Sequence, residues 1–420
     1  MNKKNEFEKN SLIVFCLMMV ANICNYLFQI IVGNLLNIED FGVVNAIIAL
    51  FGILSIPTTI ITMVSARYFA IIYAENKYDS LSTILKILSI FAVGVSALLA
   101  IGGITGYKKI AEIFNISTQS YIIAICGVAI INIFYSVTAG VLQGIKRFTA
   151  FGIQNVMLAA GKVVISIVLL LLGMKIYGVI LGILSGILLA LLYGIFVIKR
   201  ETKGLKVQKD DKIIEIREFV RYTIIVIMSQ GGIIALTNGD VLLVKAYFND
   251  IQAGEYSSAM VIGKIAMYVA TAIVATLFPM VVEQFQKGND TMPLLRKAMI
   301  YGGGAAVLCS AGMIAFGEVI VKILFGERYL SAITYLPYIC AFVVPVTLLT
   351  ILMNYVMAIN KALFFGTSII SSLLIIIGLT YVFHDTIAEM LLVVGGVLLC
   401  NFVINLIWII IYNKHNTVKN

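Results

Sequence analysis

The chain has 420 residues, of which 61% are apolar and only 12% charged, with a net charge of +9 at pH 7. Soluble domains carry about 25% charged residues, so this chain cannot cover a water-facing surface. Its mean hydropathy of +1.04 requires lipid or other apolar helices around most of it. The basic excess therefore reads as membrane topology and not as a nucleic-acid footprint.

A helix needs about 20 apolar residues to cross a bilayer. In chain order, the first half holds such stretches at 11–36, 42–72, 81–104, 119–143, 149–173 and 176–198. The first is too long for a cleaved signal peptide and has no Ala-x-Ala exit. Next comes KRETKGLKVQKDDKIIEIREFVR, from Lys199 to Arg221, with eight basic and five acidic residues, the only long polar run. Within it Ile213, Ile216 and Val220 fall at helical spacing, which predicts a short interfacial helix. Six more stretches follow at 219–248, 254–283, 294–317, 332–358, 361–383 and 387–412. The expected organisation is an N-terminal bundle over 1–198, a cytoplasmic linker over 199–218 and a C-terminal bundle over 219–420. The fold class is an all-α integral membrane protein with twelve transmembrane helices in two six-helix bundles.

Lys/Arg placement sets the orientation. With both termini in the cytoplasm, twenty-two of the thirty Lys/Arg fall on the cytoplasmic side and six on the outer side. The remaining two, Lys162 and Lys264, lie inside spans.

The halves resemble each other. NIEDFG from Asn37 precedes span 2, and NDIQAG from Asn249 precedes span 8, 212 positions later. Gln143–Arg147 with Phe151 and Gly152 matches Met357–Lys361 with Phe365 and Gly366, 214 positions later. Six spans per repeat is an even number, so the repeats are parallel and related by a pseudo-two-fold axis along the membrane normal. A site between such repeats is a transporter's arrangement. Gly178, Gly182 and Gly186 form a small-residue ridge suited to close helix packing. Pro57, Pro279, Pro337 and Pro345 are expected to kink or end their helices.

Polar groups inside spans cost free energy and are therefore informative. Span 1 carries Ser11, Asn22, Asn25, Gln29 and Gly33 on one face. Span 2 carries Ser55, Thr58, Thr62 and Ser65, ending at Arg67. Span 7 carries Gln230, Thr237 and Asp240, and span 8 carries Ser257, Lys264, Tyr268 and Thr271. These faces either line one cavity or hydrogen-bond helix to helix. Lys162 lies near the middle of span 5, on a face with Asn155 and Ser166. Asp240 and Lys264 are expected to approach one another across the short turn between spans 7 and 8, as an ion pair or as a cation-sensitive switch. The candidate substrate-cavity residues are thus Arg67, Lys162, Lys264, Asn22, Asn25, Gln29, Gln230 and Tyr268.

No Ser/His/Asp set, phosphate-binding loop or metal-ligand spacing is visible, and the six cysteines lie apart in apolar segments. An enzyme is not expected, nor a catalytic residue, metal or cofactor; a coupling cation such as sodium or a proton remains open.

Several runs carry a family resemblance: IEDFGVVNA from Ile38, GVLQGIKRF from Gly140, DVLLVK from Asp240, AGEY from Ala253, LFP ending at Pro279 and ILFGERY from Ile323. In order and spacing they resemble the polysaccharide-transporter flippases, the O-antigen (Wzx-type) branch of the superfamily that also holds the multidrug and toxin extruders (MATE). The resemblance implies two bundles in a V and export of a polyprenyl-pyrophosphate-linked oligosaccharide by alternating access. It implies a plasma membrane location of bacterial type, a monomer, contact with membrane lipid and hand-over to a glycan polymerase or assembly machinery. Lys264 matches a basic position of span 8, and Arg67 lies near one on span 2. The alternatives are a cation-coupled multidrug or small-molecule exporter of the same fold and a lipid II flippase. The chain lacks the arginines that lipid II flippases carry deep in span 1.

Overall fold

The computed structural model describes residues 3–75, 81–201 and 223–417, and among them every regular element is helical. The chain divides into two compact units, Met1–Thr223 and Ile224–Asn420. The linker residues beyond Glu201, with the interfacial helix expected around Ile213–Val220, lie outside the described residues. So do the side chains of Ser11 and Thr271.

The first unit contains α1 (Lys3–Leu35), α2 (Ile38–Leu54), α3 (Ile56–Glu75), α4 (Leu81–Ile113), α5 (Ser120–Gly144), α6 (Phe148–Leu171) and α7 (Lys175–Glu201). The second expected span is broken at Ser55 into α2 and α3. Pro57 sits in the first turn of α3, where its missing N–H is one the helix leaves unpaired anyway. Along this unit α6 packs against both α1 and α7, and α3 against α5.

The second unit contains α8 (Thr223–Tyr247), α9 (Asp250–Gln286), α10 (Met292–Ala315) and the short α11 (Gly317–Phe325). A 3₁₀ stretch, Glu327–Tyr335, leads into α12 (Leu336–Ala358), followed by α13 (Ala362–Val382) and α14 (Ile387–Thr417). α12 is the central helix, packed against α9, α10 and α14. Pro337 begins it, Pro345 lies within it, and α9 runs unbroken through position 279. α8 and α10 each contain a π-helical turn, Ile227–Gly231 and Met299–Gly303.

Eleven helical stretches among the described residues are long and apolar enough to cross a membrane. They coincide with eleven of the twelve expected stretches. The remaining one, 254–283, falls within the 37-residue α9.

The sequence repeats mark equivalent turns in the two units. Asn37 caps α2 by accepting from the Asp40 N–H at 2.7 Å. Asn249 caps α9 by accepting from the Gln252 N–H at 2.9 Å, as half of a capping box. Lys146 and Asn360 both take the left-handed conformation, at φ 60° and 57°, ending α5 and α12. Gly152 and Gly366 let α6 and α13 approach α1 and α8: an added Cβ would meet the Leu17 side chain at 2.7 Å and the Met228 Cβ at 2.8 Å.

Candidate functional site

In the first unit, Lys162 reaches from α6 to α1. Its Nζ donates to Asn25 Oδ1 at 2.7 Å and lies 4.3 Å from the centroid of the Phe28 ring. Phe28 is buried, at 2% exposure, and Cys24 is also within electrostatic reach of the ammonium. Among the described residues no carboxylate pairs with Lys162. One turn along α1, Gln29 holds a buried Oε1 without a hydrogen-bond partner.

Close packing of α7 against the Lys162 backbone and Cβ sets the register of this lysine. An added Cβ at Gly186 would lie 2.4 Å from the Leu158 carbonyl oxygen and 2.8 Å from the Lys162 backbone nitrogen. At Gly182 it would lie 2.9 Å from Ser166 Cα. The glycine ridge of α7 thus brings two backbones together directly beneath Lys162. Asn155, Lys162 and Ser166 do not act as one face. Asn155 accepts from the Tyr135 hydroxyl on α5 at 3.3 Å, Lys162 turns to α1, and Ser166 lies under α7.

The second unit has its own buried charge. Asp240 on α8 is 2% exposed, and its Oδ2 accepts from the Tyr256 hydroxyl on α9 at 2.6 Å. Its Oδ1 has no hydrogen-bond partner. Lys264 is within electrostatic reach of Asp240, but no ion pair within 4.0 Å joins them. The reason is helix length. The Asn249 capping box starts α9 at Asp250, four residues before the expected limit. Lys264 is therefore about 21 Å along α9, whereas Asp240 is about 10 Å back from the end of α8. Tyr256, about 9 Å along α9, matches that depth. Spacing on α8 and α9 carried the signal for Tyr256, which the sequence reading did not assign to the site.

The polar face of the second span is used for packing. Ser55 Oγ accepts from the Asn132 amide at 3.2 Å, Thr62 Oγ1 donates to the Ser136 carbonyl at 3.2 Å, and Ser65 lies against Gly140. All three contacts bind α2–α3 to α5, so here helix-to-helix bonding prevails over a cavity lining. Arg67 is half-buried on α3 and is not among the residues Lys162 touches. Asn22 is exposed on α1 and Tyr268 is 43% exposed on α9. Gln230 lies in the π turn of α8, with its amide 3.7 Å from the Met357 sulfur. Thr237 Oγ1 donates to carbonyls of its own helix, Ile233 at 3.0 Å and Ile234 at 3.2 Å.

A family model described as "Polysaccharide biosynthesis protein" matches residues 7–285, two thirds of the chain. The chain belongs to that family. No curated protein matches this polysaccharide biosynthesis family member. Among solved structures, it is similar to an inward-facing multidrug resistance MATE family transporter of the MOP superfamily. That match has a TM-score of 0.78 at 13% identity, covering 97% of this chain and 98% of the other. It is also similar to a MATE in complex with MaL6, with a TM-score of 0.65 at 14% identity, covering 97% of each chain. An outward-facing MATE transporter of the same superfamily gives 0.60 at 15% identity, covering 97% and 96%. At these identities the likeness is one of fold: this is a multi-pass membrane protein with the all-helical MATE fold.

Proposed function

We propose that the chain is a flippase that moves a polyprenyl-pyrophosphate-linked oligosaccharide across the plasma membrane, by alternating access, for surface polysaccharide biosynthesis. The observation that carries this reading is Lys162, a cation inside an apolar bundle held, among the described residues, by the neutral Asn25 and the Phe28 ring. An ammonium has three donor hydrogens, and Asn25 takes one. The other two suit an anionic oxygen, and a charge-assisted bond to pyrophosphate is about twice as strong as a neutral one. The orphaned Gln29 Oε1 suits a donor such as a sugar hydroxyl. Membership of a polysaccharide biosynthesis family supports a glycan cargo. The Lys/Arg distribution supports both termini in the cytoplasm, so that the cargo is delivered outward to a polymerase or other assembly machinery.

Energy coupling is assigned to Asp240. Its Oδ1 offers an acceptor for a proton or a sodium ion beside the Tyr256 bond, with Lys264 as a nearby repelling charge. The same group favours the second reading, a cation-coupled exporter of small cationic compounds.

One experiment separates them. The purified protein is placed in liposomes with a fluorescent polyprenyl-pyrophosphate-linked glycan, and in parallel with a cationic dye. Translocation of the glycan lipid, abolished in Lys162→Met, is expected. Dye efflux without glycan translocation would overturn the flippase reading.

A further inference from the structure

The second unit carries a cavity of about 530 Å³ at the end of its bundle opposite the C-terminus. That volume falls within the range of about 300–1,000 Å³ typical of small-molecule sites. We propose that this cavity is a saccharide-binding site on the outer face, which receives the glycan after translocation. The proposal rests on the flippase reading and on the orientation set by the Lys/Arg count.

Recognition of a sugar needs an aromatic face for its C–H side and fixed polar groups of both senses for its hydroxyls. The turn between α8 and α9 supplies the Phe248 ring, and the start of α12 supplies Tyr338. Gln252 turns its carbonyl oxygen back to the Asn249 N–H at 3.4 Å, so its NH₂ is the end offered to the cavity. His384 is held with Nδ1 3.0 Å from the Thr380 carbonyl, which can only accept. In the neutral tautomer Nδ1 therefore carries the hydrogen, which leaves Nε2 as an acceptor. The imidazole is clamped further by stacking on Tyr247, with centroids 4.3 Å apart and planes at 27°. Beside it, the exposed Asp385 carboxylate can accept from two neighbouring hydroxyls.

The set thus holds a donor, an imidazole acceptor and a bidentate acceptor around aromatic rings, and the Gln252 amide and the His384 ring are each fixed by a bond outside the cavity. An aromatic cage for a quaternary ammonium would need the rings but not the amide donor or the imidazole acceptor. Tyr335, also in the wall, lies edge-on to Tyr256 at 6.4 Å, so the cavity is one ring away from the Asp240 bond.

The test is saturation-transfer NMR on the full chain in lipid nanodiscs free of glycosidic detergent. The probes are glucose, galactose, N-acetylglucosamine, rhamnose and choline. The expected result is a saturable signal from at least one sugar, weakened at least about tenfold in Tyr338→Ala and in Asp385→Ala, about 1.4 kcal/mol each. Lys162→Met should leave it unchanged. Asp385 is exposed and makes no bond to another of the described residues, so its variant carries the test if Tyr338→Ala fails to fold. No sugar signal up to about 100 mM, a sugar signal indifferent to Asp385→Ala, or binding of choline alone would overturn the proposal. Glycan-lipid translocation without sugar binding removes this inference only. Sugar binding without translocation removes the flippase reading.

Discussion

Replacing Lys162 by Met keeps most of the side-chain length and removes the charge. A lysine at the centre of a spanning helix costs about 2.5–3.5 kcal/mol on insertion scales. Against this stand the hydrogen bond from the ammonium to Asn25, about 1.5–3 kcal/mol, and the cation contact with Phe28, about 0.5–2 kcal/mol. The two sides cancel to within about 2 kcal/mol, so Lys162→Met should unfold close to the parent in a thermal assay. Asn25→Leu removes the acceptor and leaves the ammonium, so it should destabilise by about 1–3 kcal/mol. Glycan-lipid translocation should move differently. It should fall at least about tenfold in Lys162→Met, the loss of one charge-assisted bond to pyrophosphate. A purely structural lysine would make both variants unstable in parallel with export. Export retained in a well-folded Lys162→Met, or a Lys162→Met less stable than Asn25→Leu, would refute the reasoning.

Gly186→Ala places a Cβ 2.4 Å from the Leu158 carbonyl oxygen, so α6 must shift; a loss of about 1–3 kcal/mol in chemical unfolding and weaker export are expected. Tyr256→Phe removes the hydroxyl bond to Asp240 Oδ2 and should cost about 1–3 kcal/mol, while Asp240→Asn should fold and lose the sodium or pH dependence of transport. An unchanged ion dependence in Asp240→Asn would take that residue out of coupling. Asn249→Ala should lower thermal stability by about 0.5–2 kcal/mol through loss of the capping box, with export kept.

What could be read from the sequence is what depends on local pattern. Apolar run length placed the helices because bilayer thickness dictates it. The repeated Asn37 and Asn249 proved to be helix caps, and Lys146 and Asn360 left-handed turn residues, because short-range backbone needs dictate those positions. The glycine ridge of α7 was legible for the same reason, as period alone puts its three members on one face. Partner choice was not legible. Ser55, Thr62 and Ser65 could equally have faced a cavity or α5, and only three-dimensional packing decides that. Asp240 and Lys264 do come within electrostatic reach, but whether they form a direct ion pair depends on where α9 begins, and the cap at Asn249 moved that start by a full turn. The π turns in α8 and α10 were also invisible, since an inserted residue leaves no mark on composition.

The repeat itself argues for which buried polar groups are functional. The 214-residue offset that pairs Gly152 with Gly366 pairs Lys162 with Ile376, a buried apolar residue of α13. The 212-residue offset that pairs Asn37 with Asn249 pairs Asn25 with Thr237, whose hydroxyl is satisfied within its own helix. The same offset pairs Phe28, the ring beneath Lys162, with Asp240. Groups needed to hold a bundle together should recur in both copies, as the caps, turns and close-approach glycines do. The charges do not recur: one unit carries a cation where the other is apolar, and the other carries an anion where the first has a ring. Two bundles with a common packing plan but different buried charges, Lys162 in the first and Asp240 with the Asp250-paired Lys245 in the second, suit the two proposed tasks, anion binding in the first and cation coupling in the second.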